Sequence, residues 1–340
     1  MKQNVEEGAV NLGRVLLYER IDPRDDSPAW LREQGFEVVL GRANDHAGYG
    51  HYTDADLIED AQGCVGLLGS GGATIDRRVI EALPQLRYIA KIGIGVDNID
   101  VAAATGRGIR VTNTLDGNDA AAVAEHAIAL LLALRKRLSV WTPSFMRSGG
   151  WRGNLFSSML QGSTVGVVGF GRIGRAVAHR LSCWDVEILA YDPFAGADRP
   201  DGVTFVALDE LLARSDAVTL HCPPTDANFH LIDADALALM KRSAVLINTG
   251  RGSLVDSAAL RDALAGERLA GAALDVYESE PPDAGDALFV LPNVIATPHV
   301  ASWTLEGYLG RRRQAATNLL AMARGDVPEN LINPAVSAVR

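Results

Sequence analysis

Short apolar runs alternate with longer amphipathic stretches along most of the chain, the succession expected of strands and helices in an α/β protein. In the first third the apolar runs fall at Val15–Tyr18, Phe36–Leu40, Cys64–Leu68, Leu86–Lys91 and Ile109–Thr112. They predict five parallel strands of a small doubly wound domain. Thr74–Leu83 carries the punctuation of a helix, with Thr74 as its cap and Pro84 just past its end. Ala43–Tyr52, rich in Gly, His, Asn and Asp, predicts a surface loop.

Asp119–Leu138 is apolar on nearly every side, with Glu125 and His126 its only interior polar pair, and predicts a long buried helix. Trp141–Gly162 then holds Pro143, several glycines and aromatics, and suits an excursion that crosses back or an arm that packs on a second copy. A second βα succession follows. Its later strands are expected at Val186–Tyr191, Ala217–Leu220, Ala244–Asn248, Gly271–Leu274 and Val294–Ala296, and a last amphipathic helix at Leu305–Ala323 returns to the first domain. The expected organisation is therefore two doubly wound domains with one inserted in the other. Residues 1–113 and 300–340 form a flavodoxin-like substrate domain, and 114–299 a Rossmann domain with the bridging helix and the arm.

The second domain opens on Val165–Gly174, an apolar run that breaks into the GxGxxG glycines Gly169, Gly171 and Gly174. Gly169 makes the tight turn, Gly171 admits a pyrophosphate close to the backbone, and Gly174 lets helix and strand pack closely. The helix starting at Arg172 and Ile173 turns its free N–H groups to the phosphates. Asp192 ends the next strand where a dinucleotide's ribose hydroxyls are held. A carboxylate there repels the extra phosphate of NADP, and Pro193 follows instead of a basic residue, so NAD is the expected cofactor.

Composition narrows the partners. Hydrophobic residues make up 48% and charged ones 22%, which excludes a mainly disordered chain. A formal charge of -10 offers no basic field for nucleic acid, and Arg311–Arg313 is the densest basic run. No apolar run is long enough to span a membrane. The three cysteines lack CxxC spacing, which argues against a structural metal, and no secretory pattern opens the chain; a reducing cytoplasm is the expected compartment.

Three polar segments follow the last strands: Asn248–Gly252, Asp275–Pro281 and Thr297–His299. Their shared place at the carboxyl edge of the sheet makes His299 the candidate acid/base and Glu280 the carboxylate that fixes its tautomer and raises its pKa. Arg251 is the group that binds a substrate carboxylate and polarises the adjacent carbonyl.

These segments, with Lys91–Asp100 and Val123–His126, resemble the D-isomer-specific 2-hydroxyacid dehydrogenase family, which includes phosphoglycerate, glyoxylate/hydroxypyruvate and phosphite dehydrogenases and the C-terminal binding protein corepressors. The resemblance spans nearly the whole chain. It implies reversible hydride transfer between NADH and a 2-keto acid, with Arg251 on the substrate, His299 as acid/base and Glu280 behind it. It also implies that Ile94 and Gly95 offer N–H groups to the substrate carboxylate and that Asp275 holds the nicotinamide amide; Thr249 is taken as a further cofactor contact. Phosphoglycerate dehydrogenases usually carry an arginine in the loop after the third strand, where this chain has Gly69-Ser-Gly-Gly72. That weighs against a phosphorylated substrate, with Lys91 as partial compensation. Trp303 stands where an aromatic could wall the pocket or serve the core. A homodimer is the expected assembly, and a corepressor-like NAD sensor with little turnover is the alternative.

Overall fold

The computed structural model describes residues 11–19, 21–42, 52–115, 119–151, 156–196 and 199–338. The chain divides into two compact units, Met1–Asn118 with Leu305–Arg340, and Asp119–Thr304. Each is built on its own parallel sheet, so the inserted Rossmann architecture is what the chain adopts.

In the first unit, β1 (Gly13–Leu17), β2 (Phe36–Leu40), β3 (Gly66–Gly69), β4 (Tyr88–Lys91) and β5 (Arg110–Thr112) form a sheet in the order β2-β1-β3-β4-β5. Helices α1 (Ser27–Glu33), α2 (Asp54–Asp60), α3 (Arg77–Ala82) and α4 (Val101–Gly106) connect them. Successive strand residues face opposite ways. Leu16, Leu67 and Ile89 therefore pack with Leu57, Val79, Ile80 and Ala103 on one face. Val15, Leu17, Leu68 and Ala90 meet Ala315, Ala316 and Leu319 of the last helix, Leu305–Arg324, on the other. Each fully buried Leu or Val contributes roughly 1.5–3 kcal/mol.

Helix α3 starts later than its sequence suggests. Asp76, not Thr74, caps it through the Val79 N–H at 3.0 Å. Ile75 is drawn into an extended bridge with Ile99, and its N–H donates to the Asn98 carbonyl, so the chain cannot turn helical before Asp76. Of the expected surface loop, residues 43–51 lie outside the described residues, and Tyr52 is buried in the core.

The second unit carries α5 (Asp119–Arg135), α6 (Pro143–Arg147), β6 (Thr164–Val168), α7 (Arg172–Leu181), β7 (Glu187–Tyr191), β8 (Val203–Phe205), α8 (Leu208–Arg214) and β9 (Ala217–Leu220). After these come α9 (Ala234–Leu239), β10 (Val245–Asn248), α10 (Ser257–Ala265), β11 (Gly271–Leu274) and β12 (Val294–Ala296); the last helix of the chain, in the first unit, is α11. All seven strands pair in parallel, in the order β12-β11-β10-β9-β6-β7-β8. Helices α8, α9 and α10 cover one face and α5 and α7 the other.

Two expectations needed correction here. Edge strand β8 is only three residues long and half exposed, too brief to give an apolar run, and the sequence pattern missed it. Helix α5 is not buried all round within its unit. Ala124, Ala127, Leu130 and Leu131 pack on the sheet, while Glu125 stays exposed and its carboxylate receives Arg180 at 3.0 Å. Its apolar residues outnumber those one sheet face can cover.

Candidate active site

The glycine turn leaves β6 at Gly169, where φ is +87° and a Cβ would press on the backbone of Cys222 at 2.5 Å. Gly171 caps α7 without a side chain, and a Cβ added to it would meet nothing within 4 Å. Gly174 faces inward instead, where a Cβ would collide with the Gly169 carbonyl. The turn is thus closed on its sheet side and open above the helix N-terminus that starts at Arg172 and Ile173. An anion fits that open side, because no side chain already caps the helix.

Asp192, past the end of β7, ties the turn in place. One carboxylate oxygen accepts the Phe170 N–H and the other the Phe194 N–H, each at 2.8 Å. A carboxylate has about four lone-pair positions, so acceptor capacity is left for hydroxyl donors. Thr249, at the end of β10, is 7% exposed and its hydroxyl has no partner among the described residues. A buried orphan hydroxyl is rare and points to a missing ligand atom. These features fit a dinucleotide.

Strand β9 of the Rossmann sheet also ends in chemistry, which the sequence reading passed over. His221 is buried, its Nε2 lies 2.9 Å from the Thr219 hydroxyl, and its Nδ1 has no partner among the described residues. Burial pushes its pKa down to about 3, so the ring is neutral. Burial also lifts the neighbouring Cys222 thiol to about 11, with the Asp192 charge adding to the rise. The polar break after Leu220 was the available signal.

Beyond β10, Asn248 folds the loop: its amide donates to the Arg251 carbonyl at 2.8 Å and its oxygen accepts the Gly250 N–H at 3.0 Å. Arg251 is half-buried at the tip, with Nη1 on the Gly250 carbonyl at 2.8 Å. Asp275, fully buried after β11, takes the Thr297 hydroxyl at 2.5 Å and the N–H groups of Val300 and Ala301 at 2.9 and 2.8 Å. The Asp275 carbonyl accepts the His299 N–H at 2.8 Å. Asp275 therefore shapes the loop that presents His299. Thr297 and His126, 3.2 Å apart, join the same network, and neither was given a role from sequence.

That loop holds His299 at φ +54°, a left-handed conformation a non-glycine residue keeps only when its surroundings enforce it. The result is a short pair, His299 Nδ1 to Glu280 Oε2 at 2.7 Å, while Glu280 Oε1 accepts the Tyr277 N–H at 3.1 Å. The hydrogen bond to Glu280 raises the His299 pKa above the ordinary imidazole value, against a lowering by burial; the charges of Glu280 and Asp275 add to the rise and Arg251 opposes it. Burial works to raise the Glu280 carboxyl, but the hydrogen bond and charge of His299, with the Tyr277 N–H and the Arg251 charge, outweigh it and hold Glu280 below its usual value. Arg251, Glu280, His299 and Asp275 thus share the carboxyl edge of one sheet. With Nδ1 committed to Glu280, Nε2 is the atom left to exchange a proton.

Lys91, Ile94 and Gly95 belong to the first unit, at the carboxyl end of β4. Lys91 is 6% exposed, and its Nζ donates to the Ile92 carbonyl at 2.9 Å. Burial pushes its pKa down to about 8, with Glu19 and Asp97 resisting and Arg311 assisting. Gly93, at φ +101°, turns the chain, and its N–H donates to the Thr114 hydroxyl at 2.7 Å. The N–H groups of Ile94 and Gly95 have no hydrogen-bond partner among the described residues.

No helix among the described residues is long and apolar enough to cross a membrane.

Comparison with known proteins agrees with this geometry. Residues 128–301 match the model of the D-isomer specific 2-hydroxyacid dehydrogenase NAD binding domain. The chain is 42% identical over 291 residues to a glyoxylate reductase of Korarchaeum cryptofilum, covering 84% of this chain and 87% of that one. It is 37% identical over 323 residues to a D-3-phosphoglycerate dehydrogenase of Archaeoglobus fulgidus, covering 94% of this chain but 59% of the relative. A solved NADPH-dependent glyoxylate/hydroxypyruvate reductase from Sinorhizobium meliloti superposes with a TM-score of 0.80 at 33% identity, over 96% of this chain and 99% of that one. The paired imidazole and carboxylate, the glycine turn and these likenesses converge: the chain belongs to the D-isomer-specific 2-hydroxyacid dehydrogenases and is an NAD-dependent oxidoreductase acting on CH–OH groups of small molecules.

Proposed function

We propose that the protein reduces a 2-keto acid to the D-2-hydroxy acid with NADH, His299 donating the proton. The observation that carries this reading is the 2.7 Å pair between His299 Nδ1 and Glu280 Oε2 beside Arg251 at one sheet edge. Bound NADH supplies the hydride. Arg251 anchors the acid and polarises its carbonyl, and Glu280 keeps His299 charged until Nε2 gives up its proton to the carbonyl oxygen. In the first unit, Lys91 and the N–H groups of Ile94 and Gly95 are assigned to the substrate carboxylate. Gly169, Gly171, Arg172, Ile173, Gly174, Asp192, Thr249 and Asp275 are assigned to the cofactor. In this reading the substrate domain is 1–113 with 300–340, and 114–299 binds NAD.

The decisive experiment follows NADH oxidation with glyoxylate, hydroxypyruvate, pyruvate, phenylpyruvate and phosphohydroxypyruvate. Turnover of a 2-keto acid is the expected result. Binding of NADH with no turnover on this panel would favour an NAD sensor instead.

Discrimination against NADP is assigned to Asp192. Asp192→Ala is expected to weaken NADH binding more than NADPH binding in a fluorescence titration, because only NADPH gains from loss of the carboxylate's repulsion. Equal losses would remove Asp192 from the ribose site.

The pairing of Glu280 and His299 predicts a pH profile. Reduction needs the proton on His299, so kcat/KM for the keto acid is level below the His299 pKa and falls as pH rises through it. Because that pKa is raised, the falling limb lies above about 6.5, the ordinary imidazole value. Glu280→Gln removes the main raising influence and is expected to move the limb to lower pH. An unmoved limb would separate the observed pKa from His299.

A homodimer in a cytoplasmic setting completes the proposal. The segment assigned to the contact, Asp119–Gly162, exposes the apolar side chains of Trp151, Phe156 and Met159 at 68%, 83% and 62%.

A further inference from the structure

The sheet of the first unit reverses its strand order between β1 and β3, with β2 extending it one way and β4 and β5 the other. In open parallel sheets, ligands sit outside the carboxyl ends of the strands at such a reversal. Three chain segments meet near it: Tyr18–Glu19 after β1, Ser70–Gly72 after β3, and Lys91 at the end of β4 with Ile92–Gly93 beyond. Their proximity follows from register, since Leu17 pairs with Leu68 and Gly69 with Lys91.

Glu19 is the unexpected member. Its side chain is 16% exposed and both carboxylate oxygens are engaged. Oε1 accepts the Ser70 N–H, and Oε2 faces Arg312 Nη2 at 3.2 Å. Arg312 is fully buried on α11 and also meets Asp25 at 3.3 Å. The Ser70 carbonyl is held as well, by the Tyr18 hydroxyl at 3.1 Å. The loop after β3 is therefore held at both the N–H and the carbonyl of Ser70, and this first N–H already serves a carboxylate of the protein.

Two consequences bear on the substrate. A second anionic group at this loop would find the Ser70 donor occupied, and it would approach a fixed negative charge. Around Lys91, the charges of Glu19 and Asp97 act against that of Arg311, and Arg312 is paired with both Glu19 and Asp25. One carboxylate can still be received by the N–H groups of Ile94 and Gly95, which have no partner among the described residues. A second would meet at this loop a donor already taken and the carboxylate that takes it.

We propose that Glu19 is a specificity-determining residue that excludes 2-keto acids bearing a second anionic group and restricts the enzyme to monoanionic ones. This rests on the reading of the protein as a 2-keto acid reductase and deepens it. Gly69 is packed against the Tyr18 ring, but a Cβ at Gly71 would meet nothing within 4 Å, so the exclusion proposed is by charge and not by a filled loop.

The test uses two acids of matched shape, 2-oxosuccinate with a charged tail and 2-oxosuccinamate with a neutral one. Wild type is expected to favour the amide in kcat/KM by about tenfold or more, the scale of one like-charge contact at a partly screened site. Glu19→Gln, which keeps the side chain's size and its acceptor for Ser70, is expected to bring that ratio to within about threefold of unity. An unchanged ratio in a variant with wild-type Tm and NADH affinity overturns the proposal. If the variant does not fold, wild type alone decides, because a preference for the dianion or no preference overturns it equally. Failure of wild type to reduce either acid, or any acid of the panel above, while binding NADH would overturn the reductase reading and this inference with it. A wild type that turns over panel acids yet treats the two succinate analogues alike overturns the inference alone.

Discussion

Replacing His299 with alanine is expected to lower the rate of keto acid reduction by about 10²–10⁴-fold, the range for losing a positioned general acid, and to leave NADH affinity nearly intact. The asymmetry comes from where the ring is attached. Its Nδ1 is bound to Glu280 and only its backbone N–H to Asp275, while the glycine turn and Asp192, also assigned to the cofactor, follow β6 and β7 and are tied to each other through the Phe170 N–H. Pre-steady-state rates beside an NADH titration check both halves. A variant that reduced the keto acid at the wild-type rate would remove His299 from the mechanism. Asparagine is an informative second substitution, since it tolerates the left-handed backbone found at φ +54° while carrying no proton to give.

The second large effect is expected from a single methyl group. Gly252 is buried directly after Arg251, and a Cβ there would overlap the backbone of Tyr277 and Glu278 on arrival. Both colliding partners are main chain, so no side-chain rotamer relieves the clash. Either the Arg251 loop moves or the segment leading to Glu280 moves. Gly252→Ala should therefore cost about 1–3 kcal/mol or more in stability, as overpacking of a filled site does. It should also reduce kcat/KM, because Arg251 and Glu280 flank the overlap. Thermal denaturation with kinetics at a permissive temperature separates the two effects. Wild-type stability and rate together would mean that the two loops do not pack as described.

Much of this was readable before any coordinates. Strands built mainly of apolar residues stand out from the polar segments around them, so the positions of β1 to β7 and β9 to β12 were legible within a residue or two. GxGxxG, Asp192, Arg251, Glu280 and His299 were legible because each sits where an apolar run stops and polar residues begin. What escaped were weak or non-local signals. β8 is too short to leave a run. The start of α3 was misplaced because the pairing of Ile75 with Ile99, twenty-four positions on, holds that stretch extended. The helix at Asp119 looked wholly buried because its composition records every apolar surface it must cover, not which neighbour covers it.

The sequence by itself determined the fold class, the cofactor and the chemical types gathered at the sheet edges, because all three follow from periodicity and from residues adjacent in the chain. Only the tertiary structure decided how those residues act on one another. That Glu280 meets His299, nineteen positions away, at Nδ1 rather than Nε2 depends on the loop Asp275 builds. That the carboxylate of Glu19 occupies the Ser70 amide fifty-one positions away depends on strand order and on a buried arginine from the far end of the chain. Hydrogen bonds and charges act across a few ångströms of space regardless of separation along the chain, and it is the fold that sets those distances.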